Sequence, residues 1–138
     1  TNHLFSKMLV AKNATELENM FELKLSNYWL THYVFDKESK HSPKQLGKNT
    51  IHLFIINTIA PFLFLYGKRR SEAHFQDRAF ALLEAVPAEK NRIIRQWRAL
   101  GMAPNSAYQT QALLQLKNQY CDQKRCLDCA IGNAILKG

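Results

Sequence analysis

Apolar positions recur at intervals of three and four residues along most of this chain, and strict alternation is rare, so the pattern predicts helices rather than sheet. Thr15-Glu-Leu-Glu18 has the form of a capping box and predicts a short helix running through Met20, Phe21 and Leu23. In Leu25–Phe35, Tyr28, His32 and Phe35 fit a helical stripe, but the β-branched and aromatic content is equally compatible with a strand. Asp36–Lys48 is charged, carries Ser42-Pro43 and Gly47, and predicts an exposed loop. Asn49 or Thr50 then caps a helix whose face is Ile51, Phe54, Ile55, Thr58 and Ile59, with Ile56 on another side. A helix apolar nearly all round is expected to be central and buried. Pro61 is expected to end or kink it, and Phe62–Tyr66 to continue it to a stop at Gly67. Asn57 inside this run predicts a buried amide that serves backbone groups freed by the kink.

The second half repeats the helical signal. Ser71, followed by Gln76 and Asp77, opens a helix in which Phe75, Phe80, Leu82, Leu83 and Val86 can face the core. Pro87 suits the first turn of a helix through Leu100, with Ile93, Ile94, Trp97 and Leu100 as its apolar face and Gly101 as its C-cap. Asn105 or Ser106 caps a long helix to about Tyr120, with Leu113, Leu116 and Tyr120 inward, and Ala130–Leu136 forms a short terminal helix after a cysteine-containing turn. The sum is an all-α single domain over residues 1–138, of six or seven helices joined by short loops.

Composition agrees. The 138 residues are 46% hydrophobic and 11% aromatic, with 5 Gly and 4 Pro, which suits one core built from long regular elements. The longest apolar run, Leu53–Tyr66, is too short to span a bilayer, and Thr1–Lys12 has no cleavage-site pattern, so no membrane role is expected. The chain lacks an initiating Met and reads as a fragment or processed product.

Charge changes the picture more. The net charge of +8 is uneven: residues 1–66 hold seven Lys against five acids, residues 67–138 twelve Lys and Arg against six, including all seven arginines. Lys68-Arg69-Arg70 is one cluster, and Arg92, Arg95 and Arg98 form a slanted stripe on a helix opposite Ile93, Ile94 and Trp97. Lys117, Lys124 and Arg125 join them if the last helices pack antiparallel. Such a surface can hold the phosphates of DNA or RNA. The plainer expectation is a solvated face, with Glu89 pairing to Arg92. Tyr28, Trp29, His32 and Tyr33 could stack bases only if exposed beside cations, and with only Lys24 and Lys37 near in sequence, core packing is expected.

All three cysteines, Cys121, Cys126 and Cys129, lie within nine residues. A Cys-x4-Cys-x2-Cys run offers three thiolates to zinc or an iron–sulfur cluster, stabilised by the following helix amides and by Lys124 and Arg125. The fourth ligand would be His3, His32, His41, His52, His74 or a group from elsewhere. The alternative is three reduced thiols packing a helix corner. An odd cysteine count of this kind suits a reducing cytoplasm. No Gly-rich phosphate loop, Gly-x-Ser-x-Gly or His-Glu-x-x-His occurs, so a non-catalytic binding or structural module is expected of this chain alone.

Several segments together resemble a known family. They are Tyr28-Trp29-x-Thr31-His32-Tyr33-x-Phe35, Leu46-Gly47, Ile56-Asn57-Thr58-x-Ala60-Pro61-x-Leu63-Phe64-x-Tyr66-Gly67, Pro87-x-Glu89-x-Asn91, Gln111-Ala112-Leu113-x-Gln115-Leu116 and Tyr120-Cys121-x4-Cys126-Leu127-x-Cys129-x-Ile131-Gly132. The resemblance is to the C-terminal part of a bacterial domain-of-unknown-function family, numbered 2851, and covers nearly all of the chain. It implies a helical accessory domain of a longer protein whose N-terminal part looks like a PD-(D/E)xK nuclease fold. None of that part's acidic motif is present here, so no catalytic residue carries over. The resemblance leaves two main functional readings, phosphate binding by the basic residues or an interaction module that packs against that N-terminal part, and a third, an enzyme active only in the full-length chain. One contiguous basic face favours the first, and dispersal among acids the second.

Overall fold

The computed structural model describes residues 3–137. The chain is predominantly helical, as the periodicity predicts, and the sheet among the described residues is one two-stranded hairpin. Its contacts gather into two compact units, Thr1–Leu82 and Leu83–Gly138.

In the first unit, α1 (Leu4–Val10) and α2 (Ala14–Met20) are followed by α3 (Asn27–Thr31), then β1 (His32–Val34) and β2 (Lys37–Glu38). The N-cap of α2 is Asn13, not Thr15. Its side chain accepts from the Glu16 amide at 2.9 Å, and Glu16 accepts in return from the Lys12 amide at 2.8 Å. The same reciprocal logic therefore operates two residues earlier than the Thr15–Glu18 pattern suggests. The ambiguous Leu25–Phe35 segment is both things in turn, a short helix that becomes a strand at His32. The Asp36–Lys48 loop is mostly exposed, as expected, but its first residues form the hairpin turn and β2.

The central helix runs without a break from α4 (Lys48–Phe54) through a π-helical turn (Ile55–Ile59) into α5 (Ala60–Arg70). Ile51, Ile55, Ile59, Leu63 and Gly67 are all buried at a constant spacing of four. On a straight α-helix that spacing drifts by roughly 40° per step, and the wider π turn takes up part of the drift. The amide of Ala60 bonds back to the Ile55 carbonyl, one residue further than in an α-helix. That shift occurs immediately before Pro61, which has no N–H to give. Asn57 is exposed rather than buried, and its amide donates to the Leu53 carbonyl at 3.0 Å. Gly47 precedes the helix in place of a side-chain cap from Asn49 or Thr50. The 23-residue Lys48–Arg70 helix is, by length and composition alone, long and apolar enough to cross a membrane, unlike the shorter run Leu53–Tyr66; its four-spaced stripe is buried.

Gly67 does not stop α5. The helix continues to Arg70 and ends at Ser71, in the left-handed region with φ 56°. What Gly67 provides is room. A Cβ there would meet the Glu72 carbonyl oxygen at 2.8 Å and Phe75 Cβ at 2.9 Å, so its absence lets α6 (Ala73–Ala85) start hard against α5. Phe75, Ala79 and Leu82 of α6 are buried, and Phe80 packs edge-on to Phe64. Arg78 reaches back to the C-terminal end of α1, donating to the Met8 and Leu9 carbonyls at 2.9 and 2.7 Å. Burial pushes its guanidinium below the ordinary arginine range, and those carbonyls keep it paired.

In the second unit Pro87 does not begin a helix. It sits in an antiparallel bridge with Ser106, flanked by amide-to-carbonyl bonds from Ala107 to Val86 and from Ala88 to Asn105. The helix α7 (Arg92–Ala99) starts at the Asn91 cap, which accepts from the Ile94 amide at 3.0 Å. Ile94 alone of its apolar face is fully buried; Ile93 and Trp97 are half-buried, and Leu100, just past the helix end, is exposed. Gly101 at φ 89° closes the helix as expected. Ser106 caps α8 (Ala107–Leu116), which continues as a π turn (Lys117–Cys121). A short 3₁₀ turn (Cys126–Asp128) then leads to α9 (Ala130–Lys137).

Candidate nucleic-acid interface

The nine basic candidates divide by the partners they have already found. Arg70 is paired to Glu72 at 3.0 Å, Lys117 to both carboxylate oxygens of Asp122 at 2.7 and 2.8 Å, and Arg125 to Asp128 at 2.9 Å. Arg98 turns towards the Pro104 carbonyl at 3.4 Å. Lys68, Arg69, Arg92, Arg95 and Lys124 are exposed and make no ion pair among the described residues. Lys68, Arg69 and Arg70 belong to the first unit and the other six to the second.

Within the second unit one concavity brings cations together. An open cleft of about 550 Å³ is lined by Asn91, Arg92, Ile93, Gln96 and Lys117. The Asn91 cap fixes the start of α7, so Arg92 and Gln96 fall one turn apart on the same face. Lys117 enters from the first residue of the π turn that ends α8. The cleft thus combines two cations from different elements with two neutral amide side chains. Arg95 and Arg98 do not line this cleft, and Arg98 donates to the Pro104 carbonyl at 3.4 Å. Glu89 does not pair with Arg92 either. It accepts from Thr110 at 3.1 Å and from Gln111 at 2.6 Å, tying the segment before α7 to α8.

The cysteines do not converge as a metal site would require. Among the described residues no three His, Cys, Asp or Glu side chains form a group that could hold a metal ion. Cys121 and Cys126 are exposed and Cys129 is buried, all three as free thiols. None of the five histidines joins the three cysteines in such a group. What the motif builds is a packed turn. The Arg125 amide bonds the Tyr120 carbonyl, Lys124 takes φ 53°, and the Cys129 amide bonds the Cys126 carbonyl. Gly132 completes it: a Cβ there would collide with the Cys126 carbonyl oxygen, so only glycine lets α9 lie against the turn.

The aromatic segment overturns the expectation of core packing. Tyr28 stacks on His32 with ring centroids 4.0 Å apart, and Trp29 packs edge-on to Tyr28 and to Phe35, each at 5.1 Å. Beyond this stack Tyr33 is 68% and Phe35 74% exposed. Lys44, which the sequence separation hides, lies over the Tyr33 ring at 3.7 Å. A second cluster missed in the sequence joins α2 to α4. Glu18 accepts from His52 at 2.7 Å and pairs with Lys48 at 3.2 Å. Burial alone would raise the Glu18 pKa, but those hydrogen bonds and charges outweigh it and hold the carboxyl below its ordinary value.

No curated protein and no solved structure matches the chain. One family model does, over residues 1–92; it includes the central helix and the aromatic hairpin, and ends before Lys117 and the cysteine turn. Since that match takes in about two thirds of the 138 residues, the chain belongs to the family described as protein of unknown function (DUF2851).

Proposed function

We propose that this chain is a non-catalytic accessory module, the C-terminal part of a longer nuclease-like bacterial protein, and that it binds nucleic acid through phosphate contacts. The observation that carries the reading is the cleft where Arg92 and Lys117 meet beside Asn91 and Gln96. Two cations with neutral amide donors between them suit a backbone phosphate. The Lys117–Asp122 pair does not stand against it. That pair is partly exposed, and pairs of this kind are worth about 0–1 kcal/mol, so an incoming phosphate can replace the carboxylate. Arg95 and Lys124, in the same unit, add positive charge that makes no ion pair among the described residues. The reading goes with a cytoplasmic setting in which the three thiols stay reduced.

The test is salt-dependent retention on heparin and on a short DNA duplex. Retention at low salt should fall steeply as salt rises, because each phosphate contact releases counterions. Arg92→Gln with Lys117→Gln should flatten the log–log slope by roughly 0.9 per contact removed. No retention at low ionic strength would overturn the reading. A second reading, a structural or interaction module that docks the N-terminal part of the same longer protein, is favoured by the pairing of Arg70, Lys117 and Arg125 with acids. It is also favoured by α9, none of whose described residues is fully buried and whose Ile131 and Ile135, with Leu127 one turn earlier, are exposed.

A further inference from the structure

We infer that the hairpin of β1 and β2 is a stacking platform for single-stranded nucleic acid, with Tyr33 and Phe35 receiving bases and Lys37, Lys40 and Lys44 receiving phosphates. This rests on the nucleic-acid reading above and adds the strand type that the protein prefers.

The hairpin backbone that carries the exposed rings is tied down by several bonds. Tyr28 lies flat on His32, interplanar angle 8°, and its hydroxyl accepts from the Asp36 amide at 3.0 Å, which fixes the turn where Asp36 adopts φ 56°. His32 Nδ1 is within 2.9 Å of the Tyr28 carbonyl. The returning segment is tied down as well: the Ser39 amide and hydroxyl both donate to the Thr31 carbonyl, and the Ser42 amide donates to the Leu30 carbonyl. Lys44 donates to the His32 carbonyl while its ammonium covers Tyr33. Even so, Tyr33 remains 68% and Phe35 74% exposed.

Fully burying one such ring would stabilise the fold by about 1.5–3 kcal/mol, so a rigid device that keeps two of them in water has a use outside the fold. Charge decides the class of occupant. From Lys24 to Lys44 the sequence holds four lysines against two acids, Asp36 and Glu38, and none of the four makes an ion pair among the described residues. An apolar protein partner would need the rings but not the lysines, and a duplex would need the lysines but hides its base faces. A single strand offers both phosphates and open π faces.

The experiment measures binding of the 138-residue chain to a fluorescein-labelled 20-mer of thymidine and to a 20-base-pair duplex, by anisotropy across a salt series. The wild type should bind the single strand more tightly than the duplex. Tyr33→Ala with Phe35→Ala should weaken single-strand binding about tenfold or more while leaving duplex affinity and the salt slope unchanged. Phe35 also touches Trp29, so Tyr33→Ala alone is measured beside it, and should weaken single-strand binding by about fivefold. Tyr33→Phe should restore that loss. Lys37→Gln with Lys40→Gln should flatten the salt slope instead. Equal losses on both nucleic acids, or no loss in Tyr33→Ala, would overturn the platform and leave the cleft standing. Failure of the wild type to bind either probe at low salt would overturn both readings, and would turn the hairpin towards a protein partner.

Discussion

Gly67 illustrates how much one position carries. In the sequence it stands after an apolar run and before three cations, where a helix stop is the natural reading; in the structure it is buried in mid-helix, and the chain turns at Ser71 instead. The distinction is invisible in sequence because both roles ask for a residue without a side chain. Replacing Gly67 by Ala gains about 1 kcal/mol of helix propensity. It also drives a methyl group into the Glu72 carbonyl and Phe75 Cβ, at 2.8 and 2.9 Å, and backbone cannot step aside as a flexible side chain can. The clash should win, with a net loss of about 1–3 kcal/mol. The expected outcome is a thermal midpoint several degrees lower for Gly67→Ala, and an equal or higher midpoint would mean that α6 moves away at little cost. Cap residues follow the same lesson. Ser106 was legible because it precedes a clear periodic run, whereas Thr15-x-x-Glu18 competes with Asn13-x-x-Glu16, and only Glu16 reaches back to the Lys12 amide.

At the scale of elements, the long helices were legible and the irregular connections were not. Periodicity places the central helix and α8 near their observed bounds, since a buried stripe repeats along each, and it places α9 too, although none of that helix's described residues is buried. It says nothing of the two π turns, at Ile55–Ile59 and Lys117–Cys121, because a single widened turn changes the pattern by one residue. It also misplaces Pro87, whose fixed φ serves an extended bridge as well as a first helical turn. The cysteine motif is the sharpest case. Its spacing is that of a ligand set, yet the tightest demand in it is made by Gly132, whose missing side chain seats α9 on the Cys126 carbonyl. Thiol reactivity tests this. In the native chain two thiols, Cys121 and Cys126, should react quickly with Ellman's reagent and Cys129 slowly, in line with their exposure. Gly132→Ala should lift α9 from the turn and make all three fast, with little change elsewhere. Three slow thiols in the wild type, released by a chelator, would instead reveal a metal-bound cluster.

For the molecule as a whole, the helical class follows from periodicity and composition, whereas the site does not follow from charge. The excess of +8 is real, but where each cation ends up depends on neighbours brought in by folding: Asp122 for Lys117, Asp128 for Arg125, Glu72 for Arg70. The aromatic hairpin was misjudged for the same reason, since Lys44 is eleven positions from Tyr33 in sequence and 3.7 Å from its ring in space. The family match and the contacts divide the chain in nearly the same place, at 92 and at 82. That coincidence has a folding consequence. Residues 1–92 contain the whole buried stripe of the central helix, together with Leu17, Phe75, Ala79 and Leu82, and the Arg78 bonds to α1. A chain cut at Arg70 would lose α6 entirely. Losing Phe75 and Leu82 alone forfeits about 1.5–3 kcal/mol each, a large part of the roughly 5–15 kcal/mol that holds a domain together. The fragment 1–92 should therefore give a helical circular-dichroism spectrum and a single cooperative melt, while the fragment 1–70 should give neither. A broad, featureless melt for 1–92 would show that residues beyond it are needed to complete the first unit, and would make the family's matched segment less than a folding unit.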